Sequence, residues 1–394
     1  MTLAHDLRNH LTRKILPFWE RLMDPVHGGF YGYMDKDLHV NPDAHKGCIL
    51  NSRILWTFST AARVLGDDRC LIPARQAYDF LPHFEDQVNG GVFWSVSAQG
   101  QPLDTTKHTY CQAFTIYGLA AYYRATGEQA ALDKALALFD VIERKCRDEG
   151  GYLEAGCADF SPAGNEKLSD NPVLMSRGQV AQRTMNTLLH VLEAYAELYR
   201  ASRSEAVRLA GARCLEQSLH ILYNEPARRL EVFFDRDYHS LLDMQSYGHD
   251  IEASWLMWDA AVTLLPETEH APYRAMCLTL AQAVCERAFT PNGLENEVVE
   301  GLVEHTRIWW VQAETVLGFA NAWALTGETV WAERTRQQWE TVQRMMVDPR
   351  ENGEWYWSTD AAGKPTDKPI VEEWKCPYHN GRMCLYLLEQ ACTV

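Results

Sequence analysis

Apolar residues along this chain keep a helical spacing that is interrupted at regular places. From Cys111 to Ala125 they recur at three and four residues, stop at Thr126-Gly127-Glu128, and resume from about Gln129 to Cys146. Ala313 to Leu325 repeats the pattern, stops at Thr326-Gly327-Glu328, and runs on to about Met346. The shared Thr-Gly-Glu reads as a helix stop followed at once by a new start. The same spacing predicts helix pairs at 51–65 with 69–84, 182–201 with 204–222 and 250–265 with 270–288. Two helices stay unpaired, one at each end, at about 4–22 and 381–392.

Between the pairs a turn followed by aromatic residues recurs. It reads Gly28-Gly29-Phe30-Tyr31, Gly90-Gly91-Val92-Phe93-Trp94, Gly150-Gly151-Tyr152, Asn292-Gly293-Leu294 and Asn352-Gly353-Glu354-Trp355-Tyr356. A copy without glycine is Leu230-Glu231-Val232-Phe233-Phe234. With marks at 28, 90, 150, 230, 292 and 352, the intervals are 62, 60, 80, 62 and 60 residues. Gly and Asn ahead of alternating aromatic residues are hairpin chemistry. Six hairpins alternate with helix pairs, provided the two terminal helices pair with each other. That predicts an all-α fold, an (α/α)6 barrel with an inner and an outer ring of six helices and short β-hairpins in the connections. An open helical solenoid would leave the two terminal half-pairs unexplained. The longest interval carries a polar stretch from Cys157 to Gln182, including Ser161-Pro162-Ala163-Gly164-Asn165, expected as a loop over the barrel mouth.

Composition narrows this further. At roughly 150 residues per domain, 394 residues allow two or three domains, but no Ser/Pro-rich linker divides the chain. One barrel over residues 1–394 is the expectation. The net charge of −16 and the lack of a Lys/Arg-rich run argue against nucleic acid. No apolar run approaches the roughly 20 residues of a membrane span, and Met1 to Arg8 lacks the apolar stretch of a signal peptide. The 11 cysteines are scattered singly with no Cys-x-x-Cys pair, which fits neither a disulfide framework nor a thiolate zinc site. A cytoplasmic, monomeric protein without metal or cofactor is expected. The 13 Trp, 17 Tyr, 13 Phe and 14 His exceed what a helical core needs and point to a pocket for an uncharged, ring-shaped ligand.

Unusual polar residues collect at one place in each repeat, the start of the inner helix. They are Arg53 in Asn51-Ser52-Arg53-Ile54-Leu55-Trp56, Lys107-His108-Thr109-Tyr110, and Thr184-Met185-Asn186 with His190. The later three are Ser246-Tyr247-Gly248-His249-Asp250-Ile251-Glu252, Arg307-Ile308-Trp309-Trp310-Val311-Gln312-Ala313-Glu314 and Trp374-Lys375-Cys376-Pro377-Tyr378-His379-Asn380-Gly381-Arg382. In a closed barrel these ends converge on one mouth. Asn186 and His190 are four apart and share a helix face; His249 and Glu252 are three apart, so the carboxylate can hold the imidazole. Trp309 and Trp310 are adjacent, so at most one is expected to point fully inward. Trp374 offers a further ring to a sugar.

Several imidazoles with ordinary pKa near neutral suit proton transfer at a carbon next to a carbonyl. Two of them on opposite faces of a planar enediolate would invert that carbon, a 2-epimerisation of an aldose. An arginine near the carbonyl oxygen would stabilise the developing charge. A glycoside hydrolase on the same kind of barrel would need two carboxylates, Asp250 or Glu252 with Glu314. A metal on His190, His249 and Glu252 lacks a ligand-spaced histidine pair, and a Cys376–His379 nucleophile lacks an implied acyl substrate. A non-catalytic sugar-binding module would not need so many titratable groups.

At these segments the sequence resembles the N-acylglucosamine 2-epimerase superfamily, its cellobiose 2-epimerase branch above all. The similarity runs from Leu16-Pro17-Phe18-Trp19 to the end of the chain. The resemblance implies an (α/α)6 barrel and cofactor-free epimerisation at C2 of the reducing-end glucose of cellobiose, with lactose as a second substrate. It also implies His249 and His379 as the acid/base pair, His190 as an assisting histidine, and Glu252 as the partner of His249 and a sugar contact. Arg53, Tyr110 and Asn186 match sugar contacts; Trp374 and one of Trp309 and Trp310 match rings that stack on the sugar. The loop from Cys157 to Gln182 departs from the family pattern, and a relative acting on free mannose, glucose or N-acylglucosamine, by epimerisation or aldose–ketose isomerisation, is the alternative.

Overall fold

The computed structural model describes residues 2–165, 167 and 171–390. Among these residues twelve helices build two concentric rings. Helix α1 covers 3–20, as Leu3–His10, a π turn at Leu11–Ile15, and Leu16–Glu20. It is followed by α2 (Cys48–Leu65), α3 (Leu71–Phe80), α4 (Thr109–Thr126), α5 (Gln129–Lys145), α6 (Met185–Ser202) and α7 (Glu205–Gln217). The remainder are α8 (Tyr247–Leu264), α9 (His270–Ala288), α10 (Trp309–Thr326), α11 (Thr329–Met345) and α12 (Tyr378–Glu389).

The even-numbered helices form the inner ring. Each packs on the next, and α12 packs back on α2, so the ring closes. Each odd-numbered helix from α3 onward covers the inner helix before it, while α1 covers α12, so the two terminal helices make the sixth pair. Burial separates the rings. Helix α2 buries every residue from Cys48 to Ala62, whereas α5 buries only the stripe Ala131, Leu132, Ala135, Leu138, Phe139 and Ile142. No described helix is long and apolar enough to cross a membrane.

The Thr-Gly-Glu stops work as caps. Gly127 and Gly327 close α4 and α10 in the left-handed region, with φ of 73° and 71°. In both, the preceding threonine hydroxyl accepts from the glutamate N–H, at 3.1 Å for Thr126 and 3.2 Å for Thr326.

Short strands stitch the repeats at the mouth. The strand entering each inner helix pairs antiparallel with the hairpin of the next repeat. Lys46 opposes Val96, Lys107 opposes Gly156, Arg183 opposes Phe234, Ser246 opposes Glu297, and Arg307 opposes Thr359. A bridge between Met34 and Val371 closes this circle as well.

Two sequence expectations shift. Five of the six inner helices begin two to four residues earlier than the apolar spacing suggests, for instance at Thr109, Tyr247 and Trp309, whereas α6 begins at Met185, three residues later than expected. In α4 and α8 the first turn carries polar residues, among them Thr109 and His249, so the spacing signal starts late. The fourth hairpin turns at Arg228, with φ 52°, ahead of the Arg229–Leu230 strand, rather than opening at Leu230. The polar stretch between 157 and 182 lies at the mouth, with one helical turn at Pro172–Ser176; positions 166 and 168–170 of it, and 391–392 of the terminal helix prediction, fall outside the described residues.

Candidate active site

The inner-helix N-termini surround a cavity of about 660 Å³. Arg53 of α2, Tyr110 of α4, and Asn186 and His190 of α6 line one side. His249 and Glu252 of α8, Trp309 and Trp310 of α10, and His379 of α12 with the preceding Trp374 line the other. All ten residues singled out in the sequence therefore face one space. Lys167, Asn171 and Pro172 of the inserted loop complete its rim, together with Trp357 and Lys368.

Each of the three histidines is held through Nδ1. Ser246 Oγ lies 2.7 Å from His249 Nδ1, Glu314 Oε1 lies 2.7 Å from His379 Nδ1, and Glu193 Oε2 lies 2.8 Å from His190 Nδ1. Nε2 is thereby the nitrogen that His249 and His379 keep for the cavity. The Trp310 ring touches both, with centroids 4.7 Å from His249 and 5.5 Å from His379.

The partner expected for His249 is different from the one found. Glu252 does not bond to it; its Oε1 pairs with Arg382 Nη2, and its oxygens stand 4.0 Å from His190 Nε2 and 4.0 Å from His379 Nδ1. Helical spacing brought the two onto neighbouring faces, but the serine one turn back reaches the imidazole first. Trp309 and Trp310 both line the cavity, Trp309 buried and Trp310 partly exposed. Trp310 is the one against the histidines, while Trp309 packs on Trp357 at 5.0 Å.

Sequence reasoning missed the group beneath the site. The Arg382 guanidinium, 1% exposed, pairs with Glu193, Glu252 and Glu314, which come from three different inner helices. Tyr378 OH also donates to Glu193, and Trp255 Nε1 donates to Glu314 Oε2 at 2.8 Å. The spacing of His190 and Glu193, three apart, would have revealed that pair by the same logic applied to His249 and Glu252.

Burial and charge set the protonation states. Burial, with His190 nearby, pushes His249 down to about 3. Burial, then Arg382 and Arg53, hold His379 well below the usual imidazole range. In the free protein both are neutral at pH 7, lower than the near-neutral poise expected from sequence, because burial disfavours the charged ring in each and Arg382 and Arg53 add to this at His379. Burial raises Glu252, and neighbouring Glu314 adds to it; burial raises Glu314 as well, against Arg382. Burial also opposes ionisation of Glu193, but Arg382, His190 and Tyr378 outweigh it and bring that carboxyl to about 2.

Other readings fare less well. Glu252, Glu314 and His379 offer ligand atoms within 4.8 Å of one another, but Arg382 Nη2 already supplies the cation between the two carboxylates. Glu314 and Asp250 do not line the cavity, which removes the carboxylate pair a hydrolase would use. Cys376 is fully buried with its thiol pushed up by that burial, the reverse of an activated nucleophile.

Four polar atoms of cavity-lining residues are buried without a hydrogen-bond partner among the described residues: Arg53 Nε, Trp309 Nε1, Asn186 Oδ1 and Glu252 Oε2. Arg53 Nη2 donates to Tyr110 OH at 2.7 Å, and its guanidinium lies 4.1 Å from the Phe114 centroid, so its direction is fixed. Two donors and two acceptors left open, between indoles and imidazoles, suit the hydroxyls of a sugar.

A closed helical barrel with imidazoles, an arginine and indoles at its mouth defines a carbohydrate-converting isomerase. The sequence pattern of the N-acylglucosamine 2-epimerase (GlcNAc 2-epimerase) family matches residues 29–380, and the chain belongs to that family. It is 45% identical over 403 residues to the cellobiose 2-epimerase of Eubacterium cellulosolvens, covering 98% of each chain. To the cellobiose 2-epimerase of Ruminococcus albus it is 41% identical over 391 residues, covering 99% of each. The solved structure of cellobiose 2-epimerase from Bacillus thermoamylovorans superposes with a TM-score of 0.94 at 40% identity, covering 98% of this chain and 99% of that one.

Proposed function

We propose that the chain reversibly inverts C2 of the reducing-end glucose of β-1,4-linked disaccharides, converting cellobiose to glucosyl-mannose and lactose to epilactose. His249 and His379 are its acid/base pair. The observation that carries this is the pair itself: two imidazoles from α8 and α12, each committed through Nδ1, presented to one cavity around Trp310. The activity named for relatives at 41% and 45% identity supports cellobiose as substrate, and a cavity of about 660 Å³ has room for a second sugar beside the reacting one. The six clusters come from one chain, so a monomer with a single catalytic domain over residues 1–394 carries a whole site.

After the pyranose opens, one imidazole takes the C2 proton. The C2–H electrons form the C1=C2 double bond, and the carbonyl electrons move to O1. Arg53, with Nε open, is placed to stabilise that oxygen. The other imidazole enters the step as imidazolium, the enzyme–sugar complex having taken up one proton on its Nε2, and delivers that proton to the opposite face of C2 as the carbonyl re-forms. Atoms and charge balance, because the histidine that gained a proton is the donor for the reverse reaction. Asn186 and Glu252 accept from sugar hydroxyls, Trp374 and Trp310 stack on the ring, and His190 assists.

Incubation with cellobiose in deuterated water, with a chelator present, tests this by NMR. Deuterium at C2 together with a mannose-type product is the expected result. Release of free glucose would establish a hydrolase instead.

A further inference from the structure

Three inner helices are tied to a hairpin through the same position, the fourth residue of the helix. In α4, Gln112 Oε1 accepts from Val92 N at 2.8 Å and its Nε2 donates to Val92 O at 2.8 Å. In α10, Gln312 does the same with Leu294, at 3.0 and 2.8 Å. In α8 the position is Asp250, whose Oδ1 accepts from Leu230 N at 2.9 Å. Both Asp250 oxygens accept N–H bonds, so neither returns a bond to the Leu230 carbonyl as the glutamine amides do. The second oxygen, Oδ2, is turned the other way and accepts from Gln245 Nε2 at 2.8 Å.

That second bond reaches the catalytic machinery. Gln245 precedes Ser246, the residue that holds His249 Nδ1 at 2.7 Å. Two adjacent strand residues, Gln245 and Ser246, thus grip two adjacent residues of one helical turn, Asp250 and His249. Arg287 Nη1 donates to Gln245 Oε1 at 3.0 Å, so the amide can only present its NH2 to Asp250. Asp250 is 1% exposed and does not line the cavity, so whatever it does for the reaction it does through these neighbours.

We propose that Asp250 is a positioning residue for epimerisation: it fixes Gln245, hence Ser246, hence the direction of the His249 ring. This rests on His249 belonging to the acid/base pair. Gln112 and Gln312 show that tying a helix to its hairpin needs no carboxylate. What aspartate adds is a second acceptor oxygen, and the structure spends it only at the helix that carries His249.

Asp250→Asn keeps an acceptor for Leu230 but sets an NH2 against the NH2 of Gln245. The expected result is a fall in kcat on the order of tenfold with KM within about twofold, since binding groups are untouched while the ring loses its set direction. The His249 ring signals in NMR should broaden or split relative to wild type, as the ring samples more than one orientation. Exchanging donor and acceptor in the double variant Asp250→Asn/Gln245→Glu should restore most of kcat, with Arg287 now facing the carboxylate at 245. Should the single variant fold poorly, Gln245→Leu removes the same bond from the strand side and is expected to lower kcat alike. Wild-type kcat in Asp250→Asn or Gln245→Leu, or a double variant no faster than the single one, would overturn the proposal. A wild-type protein that forms no C2 epimer overturns the functional reading instead.

Discussion

Arg382 and His379 share one oxygen: Glu314 Oε1 lies 2.7 Å from the guanidinium Nη2 and 2.7 Å from the imidazole Nδ1. The carboxylate therefore orients the imidazole while being itself oriented by the arginine. Substituting Glu314→Gln replaces one of the two oxygens by an NH2 that cannot face Arg382 or Trp255 favourably. A loss of about 10- to 100-fold in kcat with little change in KM is expected, read by steady-state kinetics. Arg382→Leu is a different lesion. It strands three buried carboxylates, so destabilisation of about 3–5 kcal/mol is expected in denaturant unfolding.

His249→Ala and His379→Ala should each reduce epimerisation by about 10²- to 10⁴-fold, the span associated with a positioned acid or base. Circular dichroism should be unchanged in both, since each ring stands at the cavity wall. Retained turnover in either variant would remove that histidine from the pair. His190→Ala should instead be partly active, because its Nε2 faces Glu252 at 4.0 Å and it is not one of the two rings against Trp310.

Much of the fold was legible because repetition multiplies weak signals. Thr-Gly-Glu at 126–128 and again at 326–328 marks the same cap twice, and the terminal half-pairs predicted closure before α1 was seen on α12. The cavity-lining residues were legible for the same reason, since six inner-helix starts must converge. What lay hidden was partnership. Arg382 closes the sixth cluster one turn into α12, but its three carboxylates at 193, 252 and 314 are far apart in sequence. Local spacing favoured Glu252 for His249, yet long-range pairing with Arg382 claimed that carboxylate. Asp250 looked like a candidate catalytic acid only because nothing local showed its oxygens turned toward Leu230 and Gln245.

The αL caps offer a stability test separate from chemistry. Gly327 ends α10 at φ 71°, where no atom crowds its Cβ position, so only backbone strain opposes a side chain. Gly327→Ala is expected to cost about 1 kcal/mol in thermal or denaturant unfolding. Activity per folded molecule should stay at the wild-type level, because the cap lies at the end of α10 away from Trp309 and Trp310.

His108 supplies a pH test. It is fully buried at the start of α4; its Nε2 lies 2.9 Å from Asn165 Oδ1, while Nδ1 accepts from Tyr110 N at 3.4 Å. Burial holds it down to about 4 from its ordinary 6.5, so the folded ring is neutral across the range in which the unfolded ring takes up a proton. The unfolded chain then binds more protons than the folded one between those values. Stability must fall as pH drops below 6.5 and stop falling, for this group, near 4. At pH 5 the difference of 1.5 units corresponds to about 2 kcal/mol relative to neutral pH. A His108→Gln variant lacks the titrating ring but keeps a donor for Asn165. Its urea unfolding free energy should be lower than wild type at pH 7 and should decline about 2 kcal/mol less on going to pH 5. Parallel declines in the two proteins would show that His108 titrates normally and that the acid sensitivity arises elsewhere.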